Sequence, residues 1–196
     1  AQDEDGYNNL CALVSHAHLG RPLELPPHVS MEFLEQHSQG LLALTGGKEG
    51  ALARLLAEEQ QSEAEAYLTL LQKIFPDRLY IELSRRSEEI EEAAEEGLID
   101  LAYDRDIPLV ATNPVCFLEA DFHPAHDAML CIADSAYVDS PDRRHSSPEA
   151  WMKSGEEMAR LFEDIPEAIQ NSLVIAQRCA VAAPVRKPIL PSLAGD

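Results

Sequence analysis

The sequence predicts an α/β fold in which short parallel strands alternate with helices, and three observations carry that prediction. Three short apolar runs, residues 41–44, 79–83 and 108–111, have the length and aliphatic content of strands buried on both faces. Longer stretches with apolar residues three and four apart separate them, as in amphipathic helices. The first and third runs break into Thr45-Gly46-Gly47 and Thr112-Asn113-Pro114, which punctuate regular structure. Strands spaced in this way form βα units with right-handed crossovers.

From the start, Tyr7, Leu10, Leu13, Val14 and Ala17 recur at helical spacing and predict a helix that stops near Gly20. Pro22, Pro26 and Pro27 make a loop. Ser30 is placed to cap a short helix through Phe33 and Leu34, with Gly40 expected as its C′ residue before the first strand. Helical spacing resumes at Ala51, Leu52, Leu55 and Leu56, and again at Ala64, Tyr67, Leu68, Leu71 and Ile74, with Phe75-Pro76-Asp77 as the stop.

After the second strand, an acidic helix begins near Ser87. Its Glu88, Glu89, Glu91, Glu92, Glu95 and Glu96 read as a solvated face whose first-turn carboxylates suit the helix dipole, and Ile90, Ala93, Ala94, Leu98 and Leu101 as the buried face. Beyond the third strand, a helix opens at Asp121 or a neighbour, and turns occupy residues 139–148. Ser154-Gly-Glu-Glu157 is a capping box for the helix of Met158, Leu161 and Phe162. Pro166 starts a last helix with Ile169, Leu173, Val174 and Ile175 as its apolar face. Residues 184–193 hold too many prolines for helix or central strand and read as an extended linker.

The 196 residues, 45% of them hydrophobic, suffice for one domain with its own core. No apolar stretch approaches the roughly 20 residues of a membrane helix, and Ala1-Gln-Asp-Glu-Asp5 has no secretory pattern, so a soluble, cytoplasmic protein is expected. Cys11, Cys116, Cys131 and Cys179 lack paired spacing and read as reduced, mostly buried thiols. A formal net charge of −20 repels phosphate backbones and argues against extensive DNA contact by these residues. The first residue is not Met and three strands alone make a poor parallel sheet, so the chain reads as part of something longer, with further strands upstream.

Chemistry in parallel α/β folds gathers where strands end, which directs attention to residues 112–116. Asn113 is not ionised, Pro114 has no side-chain donor atom, and Cys116 has no second thiol nearby. Elsewhere, His16 and His18 are two apart in a helix and point about 200° from each other. Gly46-Gly47-Lys48 lacks the phosphate-loop spacing, and no Gly-x-Ser-x-Gly elbow occurs. His123 and His126 can share one helix face beside Asp127, as a zinc site would need. Helix-start packing is favoured because no third or fourth ligand is identifiable.

Gly6-Tyr-Asn-Asn-Leu10, Gly40-Leu-Leu-Ala-Leu-Thr-Gly-Gly47, Phe75-Pro-Asp-Arg-Leu-Tyr-Ile-Glu-Leu83, Leu109-Val-Ala-Thr-Asn113, Ala125-His-Asp-Ala-Met-Leu-Cys-Ile132 and Phe162-Glu-Asp-Ile-Pro-Glu-Ala168 occur in that order. Together they resemble the PHP (polymerase and histidinol phosphatase) domain of the bacterial DNA polymerase III alpha subunit, in its proteobacterial replicative form. The resemblance runs over nearly the whole chain. It implies the later part of a distorted (β/α)7 barrel with additional C-terminal helices. Residues 1–165 would be the barrel portion, and 166–196 a helix and linker leading to the polymerase palm. The barrel's first strands and their His-x-His metal motif would precede Ala1.

Against metal-bearing members of that family, Asn113, Pro114 and Cys116 stand in the Asn-Asp-x-His pattern, Gly47 stands at a Cys position and Arg86 at a His position. Glu82 alone matches. The expectation is a degenerate metal site holding no cofactor and carrying no catalytic residue. The PHP portion would then act in DNA replication as a scaffold and docking platform for the proofreading exonuclease subunit, next to the palm and other replicase subunits. The alternative is a zinc- or manganese-dependent phosphoesterase or 3′–5′ exonuclease using Glu82, Cys116, His123 or His126 with ligands from upstream. A third possibility, an unrelated acidic interaction module, needs upstream sequence without βα units.

Overall fold

The computed structural model describes residues 1–22, 24–185 and 187. They fall into two compact units, Ala1–Leu41 with the segment beginning at Arg178, and Leu42–Gln177. The boundary expected at 165/166 lies inside the second unit, and the linker expected over 184–193 lies mostly outside the described residues.

In the first unit, helix α1 (Glu4–Leu19) begins where the Asp3 carboxylate accepts the Gly6 N–H at 2.7 Å, satisfying one of the orphan donors of the first turn. It ends at Gly20, as the periodicity predicts. Helix α2 (Met31–Gln36) is capped by Ser30, whose Oγ accepts from Phe33 N–H at 3.2 Å. It stops with His37 as its C-cap, so Gly40 is not the C′ residue expected. Gly40 instead takes φ +70° to bring its carbonyl against α1, where a Cβ on Gly6 would stand 1.9 Å from the oxygen. The rings of His16, Phe33 and His37 stack with centroids 4.0 and 4.1 Å apart.

In the second unit, β1 (Ala43–Leu44), β2 (Leu79–Leu83) and β3 (Leu109–Ala111) form a parallel sheet in that order, Ala43 opposite Leu79 and Ile81 opposite Leu109. The first strand is shorter than its apolar run. Leu41 N–H turns to Ser38 O, and pairing begins only where Ala43 N–H reaches Arg78 O at 2.8 Å. Pro108 accepts from Ile81 N–H but has no N–H of its own, and the third strand starts after it.

Helices α3 (Ala51–Ala57) and α4 (Gln61–Ile74) connect β1 to β2, and α5 (Glu89–Asp104) connects β2 to β3. Leu52 of α3, Leu68 of α4 and Ile81, Leu83 and Val110 of the sheet are fully buried, forming the core against α5, where Leu56 packs over Gly97. The expected faces of α5 need correcting. Ala93 is exposed, and Glu91 is only 6% exposed beneath the strand end. The burial of Glu91 has a specific cause, a buried arginine partner described below.

Beyond β3 come α6 (His123–Asp134), α7 (Gly155–Leu161) and α8 (Pro166–Arg178), with an isolated parallel bridge between Phe117 and Trp151 that the sequence reading missed. The capping box is present in both directions, Ser154 Oγ accepting from Glu157 N–H and the Glu157 carboxylate from Ser154 N–H. In α8 Ala168 is buried, and the face expected to be buried is only partly so, Ile169 and Ile175 being half-buried while Leu173 and Val174 are 63% and 40% exposed. Cys131 is buried, whereas Cys11 and Cys116 are exposed, contrary to mostly buried thiols. Among the described residues no helix is long and apolar enough to cross a membrane.

Candidate functional site

Three loops leave the C-terminal ends of the strands, at residues 45–47, 84–88 and 112–116, and β2 lies between its neighbours so that its side chains reach both. Glu82 uses that place. Its Oε1 accepts from Thr112 Oγ1 at 2.6 Å and its Oε2 from Gly46 N–H at 3.1 Å, while its own N–H donates to Thr45 Oγ1 at 3.0 Å. One half-buried carboxylate therefore ties all three strand ends together, each oxygen already accepting a hydrogen bond from a neutral donor.

The positions around it are turned elsewhere. Gly47 has φ +50°, and a Cβ there would lie 3.3 Å from Ser84 Oγ, so the backbone itself favours glycine over any side chain that could ligate an ion. Asn113 Nδ2 donates to Trp151 O at 3.0 Å, holding the amide on the far loop. Pro114 offers no donor atom. Cys116 is exposed, and its N–H bonds Ala150 O at 2.7 Å.

Arg86 is buried and does not point its charge at solvent. Its Nε and Nη2 donate to Glu91 Oε1 at 2.9 and 2.7 Å, and its N–H to Glu91 Oε2 at 2.7 Å. Ser84 Oγ adds a fourth bond to Glu91, and Ser147 Oγ caps the Arg86 carbonyl. The neighbouring Arg85 closes a second clamp, donating to Glu95 and Asp164 and to Leu161 O, with its guanidinium 4.6 Å above the Phe162 ring. The hydrogen bonding of Arg85 to the Asp164 carboxylate is the largest influence raising the Arg85 pKa above its ordinary value, and it also lowers that of Asp164. The space enclosed by Gly47, Lys48, Glu82, Ser84 and Glu91 is about 10 Å³, at the lower limit for one water.

His123, His126 and Asp127 do come together on one side of α6, as their spacing predicts, and they grip the loop after it. His123 Nε2 lies 2.9 Å from Ser146 O, His126 Nδ1 2.9 Å from Ser146 Oγ, and both rings flank Phe117. Asp127 takes both Arg143 nitrogens at 2.6 Å, which holds its carboxyl below the usual range. His16 stacks on Phe33 in the other unit. Among the described residues no three His, Cys, Asp or Glu side chains converge as an ion would need. Sequence reasoning missed Glu91, Thr45, Thr112 and Ser147. For Glu91 a signal existed, an arginine five residues earlier at the strand end, but five other glutamates in the same stretch concealed it.

Residues 1–86 match the family model described as PHP domain. The chain is 48% identical over 98% of its length to the DNA polymerase III subunit alpha of Caulobacter vibrioides, 38% over 99% to that of Rickettsia bellii and 36% over 98% to that of Vibrio cholerae. It spans about 17% of the length of each of these relatives.

Proposed function

The chain belongs, over the residues it comprises, to the PHP-domain region of the bacterial DNA polymerase III alpha subunits, and from that membership we propose that it serves a replicative polymerase as scaffold and docking platform. On this reading the full-length polypeptide extends DNA in the cytoplasm through a palm domain. These residues contribute the later strands of a (β/α)7 barrel that supports the palm and receives the proofreading exonuclease subunit.

The single observation that carries the loss of hydrolysis is the arginine at the strand end. A buried Arg86, paired with Glu91, stands where the resemblance places a metal-binding imidazole, and a guanidinium has no lone pair to offer an ion. The rest of the donor set agrees. Glu82 is engaged by neutral donors, Gly47 has no side chain, and Asn113 and Pro114 supply no anionic oxygen. Metals of this class need about four to six donors, and these residues do not fit one.

Metal analysis of the full-length polypeptide tests this. The expected result is substoichiometric zinc and manganese, and an unfolding midpoint unmoved by chelator. Stoichiometric metal with chelator-sensitive phosphatase activity would establish the phosphoesterase reading instead. Titration with the proofreading exonuclease subunit tests the platform role, and a full-length polypeptide that fails to bind it removes that role.

A further inference from the structure

The connection between α6 and α7, residues 135–154, contains no helix and pairs as strand only at the Phe117–Trp151 bridge. Connections beyond about 12–15 residues without regular structure are uncommon, and are either functional or disordered. This one is held down. Ser147 and Ala150 are buried, and from residue 143 onward the segment is bound in turn to three parts of the second unit. The first is α6. Arg143 donates from two nitrogens to the Asp127 carboxylate at 2.6 Å, and the carbonyl and hydroxyl of Ser146 meet His123 and His126. The second is the loop after β2, where Ser147 Oγ donates to the Arg86 carbonyl. The third is the loop after β3. Ala150 O accepts from Cys116 N–H at 2.7 Å, Met152 N–H donates to Phe117 O at 3.0 Å, and Trp151 O accepts from the Asn113 amide. Lys153 closes this end on itself, donating to Glu149 O with its Nζ 4.7 Å over the Trp151 ring.

We infer that residues 143–153 are a conformational strap that transmits the position of α6 to the C-terminal ends of β2 and β3, with Arg143–Asp127 as its latch. The device goes beyond the platform role and does not depend on which subunit docks. The coupling to β2 runs through Ser146 and Ser147, which are consecutive and share a planar peptide. One is bound to α6. The other is bound to the residue whose side chain forms the buried pair with Glu91, so α6 cannot shift far without straining or breaking the bond to the Arg86 carbonyl. Networks of hydrogen bonds on rigid elements carry displacement in this way. The latch is identified by burial. Arg144–Asp134 is 58% and 40% exposed and contributes little, whereas Arg143–Asp127 is bidentate and no more than 16% exposed on either side. Release of the strap would also free the Asn113 amide from Trp151 O, next to Thr112 and its bond to Glu82.

Hydrogen exchange of the full-length polypeptide, read by mass spectrometry on peptides covering residues 84–88, 113–117 and α4, tests the strap. In the unaltered protein the two strand-end segments should exchange faster than α4, through an opening of their own. Asp127→Asn should accelerate exchange in both by about tenfold, while Asp134→Asn, in the exposed pair of the same helix, should leave both within about twofold. In a Ser147→Ala background, Asp127→Asn should no longer change residues 84–88, because the link to Arg86 is already cut. Three outcomes overturn the inference. Acceleration confined to residues 123–146 would show that α6 and the strand ends are not coupled. Strand-end segments that open only as α4 does would show unfolding of the whole unit in place of a strap. An effect at 84–88 undiminished by Ser147→Ala would take the transmission away from this segment.

Discussion

Arg86 closes on Glu91 through three hydrogen bonds of 2.9, 2.7 and 2.7 Å, both side chains buried at the end of the central strand. The pair joins β2 to the first turn of α5, and Ser147 ties the following loop to the same arginine. The pair and the serine cross-link the strand end, the helix and the following loop with protein groups alone. Removing one member leaves a buried charge without a partner. Glu91→Ala should destabilise the folded protein by about 3–5 kcal/mol, read by denaturant unfolding of the full-length polypeptide. Glu96→Ala, on the exposed side of the same helix, should stay within about 0.5 kcal/mol. Equal effects from the two would show that the buried pair has no special part in stability.

Arg85 works through shape as much as charge. Its fork meets Glu95 and Asp164 at once, reaches Leu161 O, and lies flat over Phe162. A lysine keeps the charge and loses the plane and the simultaneous bonds. Arg85→Lys should therefore cost about 2 kcal/mol, with early loss of amide protection in α7 by hydrogen exchange. Retained protection at unchanged stability would reduce the clamp to a single ion pair.

How much of this was legible beforehand follows from where the determining partner sits in the sequence. β2 and the end of α4 were readable because Phe75-Pro76-Asp77 separates a helical period from an aliphatic run within a few residues. The capping box was readable because both its members lie within four residues. β1 was overextended because apolar content cannot tell a paired residue from a merely buried one, and only Arg78 and Tyr80 decide where pairing starts. Helical spacing showed which residues of α6 share a face. It could not show which face turns inward, since Arg143, Arg144 and Ser146 settle that from beyond the helix. Of the candidate site, the residue types at Gly47, Glu82, Arg86, Asn113 and Pro114 were evident, but the partner of Arg86 was not.

Thr112 and Glu82 give a finer probe of the strand ends. The Thr112 hydroxyl donates at 2.6 Å to Glu82 Oε1, while Glu82 Oε2 accepts from the Gly46 N–H. Thr112→Val keeps the branched shape and removes the donor, which should cost about 1 kcal/mol and leave the chain's metal content unchanged. Gain of a bound divalent ion in that variant would show that the hydroxyl, and not the absence of ligands, keeps the site closed.

Gly6 and Gly40 meet where no side chain fits. A Cβ on Gly6 would stand 1.9 Å from the Gly40 oxygen, and the atoms it meets are backbone, so they cannot swing aside. Gly6→Ala should cost about 3 kcal/mol or more through forced backbone displacement, with faster proteolysis in residues 1–20 as the readout. Unchanged proteolysis would mean that the close approach is not maintained in solution.

Acid should loosen the second unit through particular carboxylates. Asp127 and Asp164 are each held below the ordinary carboxylate range, mainly by hydrogen bonds from Arg143 and Arg85. A carboxylate with a lowered folded-state pKa contributes stability that is complete above its unfolded value, about 3.9. That contribution disappears as pH falls through the folded-state value, because the unfolded chain takes up the proton first. The protein should therefore lose stability progressively as pH drops below about 4.5. Asp127→Asn, which lowers stability at pH 7, should show a shallower decline over that acid range. A decline of equal steepness in the variant would mean that Asp127 is not among the groups responsible, and would leave Asp164 and the other carboxylates to account for it.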